Sequence, residues 1–164
     1  MSPVVNPLPK LAVIDHGDKT TIYMNRDGIL TSYIGTTDND DFDEKQIQIH
    51  DEDVECDFDQ EIAAVALGDG EQSRLYYTKK NQLKELMWSG SKDTWSYGSL
   101  TDKFSLEPGS DLTCTIKTRG KTAQDPQNDP DLGVYGRMKG ADVTTEFYYH
   151  PTEDWQYRPI FTVS

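Results

Sequence analysis

The sequence predicts an all-β chain made of three successive sets of four short strands. Three observations predict it. Helix signals are scarce across the 164 residues. Short runs rich in β-branched and aromatic residues are bounded by Gly, Asn, Asp and Ser clusters. Similar residues also recur at nearly constant separations, the mark of a repeated structural unit.

The first set opens with Lys10–Ile14, a compact apolar run. Thr20–Met24 ends at the hairpin turn Asn25, Arg26, Asp27, Gly28, and Ile29–Ile34 follows. A polar loop then leads to Gln46–His50, which alternates apolar and polar residues. In the second set, Glu61–Leu67 is Ala-rich, and Leu83, Leu86 and Met87 stand at helical spacing. Both segments are shorter than the ~12 residues an autonomous helix needs, and both end at turn residues, so they read as strands. Arg74–Thr78 and Trp95–Leu100 complete that set. The third comprises Leu112–Lys117, Val134–Met138, Val143–Tyr149 and Trp155–Phe161.

Tyr23, Tyr76 and Tyr135 hold the same place in each second strand, 53 and 59 residues apart. Ser32, Glu85 and Glu146 fall in the third strands, and Phe42, Trp95 and Trp155 open the fourth. The units run approximately over 10–55, 60–106 and 111–162, with a flexible polar insertion at 119–131. Four short strands every ~50 residues mark a β-propeller blade. Propellers close with ~4–8 blades, so three cannot close a ring. The reading is half of a six-bladed propeller completed by homodimerisation, since a half-ring leaves two blade faces in water. A piece of a longer chain, or a different three-sheet fold, is the alternative.

Composition narrows the function. Sixteen Lys and Arg against 29 Asp and Glu give a net charge of −13, which disfavours nucleic acid and anionic membranes. No apolar run reaches the ~20 residues of a membrane helix, so membrane insertion is not expected. The N-terminus lacks the features of a secretory signal, which implies a cytoplasmic or unconventionally secreted chain, or one recorded without its leader. Cys56 and Cys114 are read as reduced thiols. Residues 37–61 hold 12 acids, with Asp38, Asp40, Asp41, Asp43 and Glu44 clustered. They lack the spacing of a calcium loop and read as a solvated acidic loop. His16, His50 and His150 show no metal spacing, and neither cofactor nor metal is expected.

The second unit carries a specific pattern. Ser73–Tyr77 (SRLYY), Leu83–Trp88 (LKELMW) and Trp95–Ser99 (WSYGS) resemble a blade of the fungal fucose-specific lectins, which are six-bladed propellers. Arg74 and Glu85 lie eleven residues apart, as in that family. The third unit matches less well, through Glu146, Tyr149 and Trp155, and the first least. The resemblance implies a sugar held between adjacent blades. Arg74 and Glu85 would bind hydroxyls, Ser99 would hold a backbone-contact position, and Tyr149 and Trp155 would form the stacking wall. A guanidinium and a carboxylate grip neighbouring hydroxyls by charge-assisted hydrogen bonds, while an aromatic ring covers the apolar sugar face.

The other two interfaces read as degraded. Thr21 and Ser32 stand in the Arg and Glu slots of the first unit, so Trp88 reads as structural. Gly133 stands in the Arg slot of the third, with Arg137 nearby. The bland reading of Arg74 and Glu85 is a cross-strand ion pair contributing roughly 0.2–1 kcal/mol. The expected function is a non-enzymatic lectin for fucosylated glycans. The alternative is a lectin-derived protein-interaction or effector module that has lost its sugar sites. A glycosidase needs two carboxylates in one pocket, and the sequence offers no such pair.

Overall fold

The computed structural model describes residues 9–16, 18–36, 41–68, 71–117, 131–150 and 153–160. Four consecutive strands, each antiparallel to the next, form a sheet three times over. The first sheet contains β1 (Lys10–Asp15), β2 (Lys19–Arg26), β3 (Ile29–Thr36) and β4 (Phe42–Gln46). A two-strand hairpin, β5 (Gln48–Ile49) with β6 (Glu52–Asp53), follows. The second sheet contains β7 (Ala63–Leu67), β8 (Gln72–Lys79), β9 (Gln82–Ser89) and β10 (Thr94–Tyr97). The third contains β11 (Leu112–Lys117), β12 (Asp131–Gly136), β13 (Thr145–His150) and β14 (Asp154–Pro159). Among the described residues no helix is long and apolar enough to cross a membrane.

Tight turns set the pairing. Arg26 pairs with Ile29, leaving Asp27 and Gly28 at φ 53° and 86°. Lys79 pairs with Gln82, leaving Lys80 and Asn81 at 52° and 60°. Positive φ at both central residues is the two-residue hairpin whose twist matches its strands.

The repeat in sequence is a repeat in register. Tyr23 faces Ser32, Tyr76 faces Glu85, and Tyr135 faces Glu146. One step outward, Gly35 faces Phe42, Trp88 faces Trp95, and Tyr149 faces Trp155. β1 lies against β7 and β7 against β11, so the sheets fan in chain order about their first strands.

Alternation sends each strand's side chains to two faces. Leu75, Tyr77 and Leu86 leave one face of the second sheet and meet Ile14, Tyr23 and Leu30 of the first. Tyr76 and Leu83 leave the opposite face and meet Leu132, Val134 and Phe147 of the third. Two buried amides brace the connections. Asn25 Nδ2 donates to the carbonyls of Asp57 and Gln60, and Gln60 Nε2 donates to that of Ser110.

The segment Gln46–His50 departs from expectation. It is not the fourth strand of the first sheet, whose place is taken by Phe42–Gln46. Ile47 is buried, donates its N–H to Leu30 O at 2.9 Å and accepts from Val54 N at 2.9 Å. Those bonds anchor the chain there, so Gln48–Ile49 pairs instead with Glu52–Asp53. The acidic cluster is also not wholly a loop, because Asp43 and Glu44 lie on β4. A charged, exposed edge strand resists pairing with foreign strands. Asp38 and Asp40 lie outside the described residues, as does the expected insertion except for Asp131 at the start of β12. Both cysteines are free, Cys56 within the core of the first two sheets and Cys114 against that of the second and third.

Candidate functional site

Register places the charged residues. On β8, Arg74 and Tyr76 share the face toward the third sheet, and β9 adds Glu85 and Met87. Tyr76 stands opposite Glu85 and Arg74 opposite Met87, so Arg74 and Glu85 are diagonal neighbours. Arg74 Nε lies 3.8 Å from Glu85 Oε1, with the side chains 13% and 4% exposed. The two thus form a cross-strand ion pair, and it is largely sheltered. Arg74 also borders the cavity beside this pair.

Glu85 is held more firmly. Its Oε1 accepts from the Tyr76 hydroxyl at 3.2 Å, and its Oε2 accepts from Leu100 N at 3.1 Å. Burial, with the Glu85 charge beside it, pushes the Tyr76 phenol well above its ordinary value, so it stays a donor. The carboxylate rests against Gly98, whose missing side chain is what makes room for it.

The third sheet supplies the opposite wall. Tyr149 and Trp155 pair across β13 and β14 with ring centroids 5.9 Å apart at 66°. Trp155 Nε1 donates to Ser99 Oγ at 3.0 Å. Arg74, Glu85, Ser99, Tyr149 and Trp155, all five expected from the sequence, line one cavity of about 90 Å³. Met87 and Leu132 line it too and were missed. Met87 was signalled by its place opposite Arg74. Leu132 abuts the polar insertion and carried no signal.

A larger cavity, about 360 Å³, lies between the first and second sheets, and Trp88 and Trp95 line it with Thr21 and Ser32. On the third sheet, Glu146 finds its cation on neither Gly133 nor Arg137. Arg158, directly opposite on β14, donates from Nε to Glu146 Oε2 at 2.5 Å. Tyr135 donates to the same carboxylate at 3.2 Å. Among the described residues no group of His, Cys, Asp and Glu is arranged to hold a metal ion.

No family model and no curated protein matches this sequence. Solved structures share its fold. One is a mutant of AofleA from Arthrobotrys oligospora with three arginines changed to alanine: TM-score 0.69, 19% identity, over 92% of this chain and 42% of that one. Another is a fucose lectin from Kordia zhangzhouensis in complex with methyl-fucoside: TM-score 0.63, 16% identity, over 93% of this chain and 99% of that one. The chain thus spans well under half the length of the first and nearly all of the second. At these identities the likeness is one of fold, and the three sheets are blades of a β-propeller.

Proposed function

We propose that this chain is a carbohydrate-binding lectin, without catalysis, whose cavity between the second and third blades takes a fucose-type sugar. One observation carries the reading: the Arg74–Glu85 couple shares a cavity with the Tyr149–Trp155 pair. A 6-deoxyhexose has neighbouring hydroxyls on one side and an apolar face with a methyl on the other. Arg74 donates to one hydroxyl, and Glu85, already oriented by Tyr76 and Leu100, accepts from the next. The aromatic pair covers the C–H face, and Met87 and Leu132 offer apolar surface to the methyl. Among the described residues lining the cavity Glu85 is the single carboxylate, and glycoside hydrolysis in its usual form uses two.

The cavity is small beside the ~300–1,000 Å³ of typical ligand pockets, so each site binds weakly and avidity matters. Two copies joined front to back supply that avidity. The face of the first blade turned from the second exposes Leu11, Val13 and Phe42. The matching face of the third carries Tyr135, Tyr148 and the Arg158–Glu146 pair. A six-blade ring buries both faces.

The test is binding of methyl-fucoside by calorimetry, with a fucosylated glycan array. Arg74→Ala and Glu85→Ala are each expected to abolish binding while the far-ultraviolet spectrum is kept. Binding that survives both changes overturns the reading. An array without a hit, together with a protein partner released by salt, favours the interaction-module alternative.

A further inference from the structure

We propose that the larger cavity, between the first and second blades, binds a small zwitterion rather than a sugar: a molecule with a methylated ammonium at one end and an acid group at the other. Neither the cavity nor this ligand depends on the sugar reading of the smaller site.

The wall from the second blade is aromatic and acidic. Trp88 and Trp95 pair across β9 and β10, and both line the cavity half-buried. Both rings are seated within the protein. Trp95 meets Tyr23 edge to face, with centroids 5.8 Å apart at 80°. Trp88 packs on Gly90, where a Cβ would come within 3.0 Å of the ring. The turns leading into β8 and β10 add Glu71 and Asp93, both exposed. An indole face attracts a cation, and a nearby carboxylate adds to that attraction.

The wall from the first blade is of another kind. Thr21 and Ser32 stand in the register positions that Arg74 and Glu85 hold on the second blade. Two short hydroxyls leave space, about 360 Å³ in all, which is within the ordinary range for a small-molecule site. Lys45 stands opposite Ser32 on β4, and Lys19 begins β2. Both line the cavity, against one acid on this wall, Asp18. Among the described lining residues the walls are thus of opposite sign. The first blade brings two lysines to one aspartate, and the second brings two carboxylates and no Lys or Arg. Among the described residues none of Lys19, Lys45, Glu71 and Asp93 makes an ion pair, so their charges remain open to those of a ligand.

That polarity selects the ligand. A simple cation meets two lysines across the cavity, and a simple anion meets three carboxylates, so each is opposed. A zwitterion laid from one blade to the other satisfies both walls. Its cation is methylated because the second wall offers it indole surface. A bare ammonium needs hydrogen-bond acceptors to replace its water, whereas a trimethylammonium needs none and presents methyl groups to the rings. Its acid group lies toward Lys45 and Lys19.

The probe is γ-butyrobetaine, in which a short methylene chain joins a trimethylammonium to a carboxylate. Indole 15N–1H spectra of the full chain, assigned with Trp→Phe variants, are followed as it is added. Tetramethylammonium and butyrate, its two halves, and methyl-fucoside are titrated alongside. The expected result is that γ-butyrobetaine moves the Trp88 and Trp95 signals and leaves that of Trp155, which lines the other cavity, in place. Each half is expected to bind about tenfold more weakly or worse, and methyl-fucoside to leave the Trp88 and Trp95 signals unmoved. Lys45→Ala is expected to weaken γ-butyrobetaine about tenfold and to leave tetramethylammonium unchanged. Glu71→Gln with Asp93→Asn is expected to weaken both. All three changed side chains are exposed, so an unshifted Trp155 signal checks the fold. Unmoved Trp88 and Trp95 signals, a half that binds as tightly as the whole, movement of the two signals by methyl-fucoside, or full γ-butyrobetaine binding in either variant each overturns the proposal. Methyl-fucoside binding is read at Trp155, so this site and the sugar site stand or fall independently.

Discussion

Trp155 Nε1 donates a hydrogen bond of 3.0 Å to Ser99 Oγ, joining the last strand of the third blade to the turn that closes the second. Trp155 is only 6% exposed, so this bond satisfies the donor of a buried residue. It also fixes the ring that forms one wall of the candidate site.

Removing that acceptor gives the first prediction. Ser99→Ala leaves the Trp155 N–H unpaired and is expected to destabilise the fold by about 1–3 kcal/mol. Methyl-fucoside affinity is expected to fall as the wall loosens. Urea midpoints and calorimetry read the two effects. A Ser99→Ala, Trp155→Phe double variant isolates the bond, because its two changes are expected to cost less together than their sum.

Gly98→Ala tests how Glu85 is seated. Gly98 is not among the residues with positive φ, so the backbone tolerates alanine. The added methyl instead runs into the Glu85 carboxylate, which is backed by the Tyr76 hydroxyl and Leu100 N. Glu85 must move, and sugar binding is expected to be lost with only a modest fall in the urea midpoint. Unchanged affinity means that the seated carboxylate is not the sugar's acceptor.

Alkaline pH is expected to destabilise the protein. Burial pushes the Cys56 and Cys114 thiols up to about 12, from an ordinary value of 9.0. It pushes the Tyr23 phenol to about 12 from 10.0. Each of these groups gives up its proton sooner in the unfolded chain. Their stabilising contribution is therefore whole below the unfolded values and is lost as pH rises toward the folded ones. The urea midpoint should hold to about pH 9 and fall above about pH 10. At neutral pH both thiols are expected to react with an aromatic disulfide reagent far more slowly than in denaturant.

Assembly supplies the fourth prediction. A solution mass of about 37 kDa, twice the 18.6 kDa of the chain, is expected at micromolar concentration. Leu11 and Val13 are 53% and 52% exposed on β1. Changing both to Glu is expected to halve that mass and leave methyl-fucoside binding at the second-to-third-blade cavity intact. A wild-type chain that runs as a monomer removes the ring.

Much of this was legible in the residues because blades repeat. A tyrosine at 23, 76 and 135 marks the same strand position, and its partners at 32, 85 and 146 share one register. Sheet pairing is local there, set by turns such as Asp27–Gly28, so spacing along the chain translates into position in space. Arg74, Glu85, Ser99, Tyr149 and Trp155 were brought together by the resemblance to the fucose-specific lectins, and they line one cavity. Arg158 was missed because it reaches Glu146 from β14, outside the slot the repeat assigns to arginine. Trp88 was read as packing because the slots it faces had lost their charges; it borders the larger cavity.

The order of residues alone determined the three four-stranded sets, their repeat and which side chains share a face, since a pleated strand alternates with period two and short turns leave little freedom; it did not show the extra hairpin β5–β6. Only the packing of one blade on the next decided the volumes of the two cavities and the burial of the Arg74–Glu85 couple. Those properties belong to the gap between two sheets, and no single stretch of chain contains both of its walls.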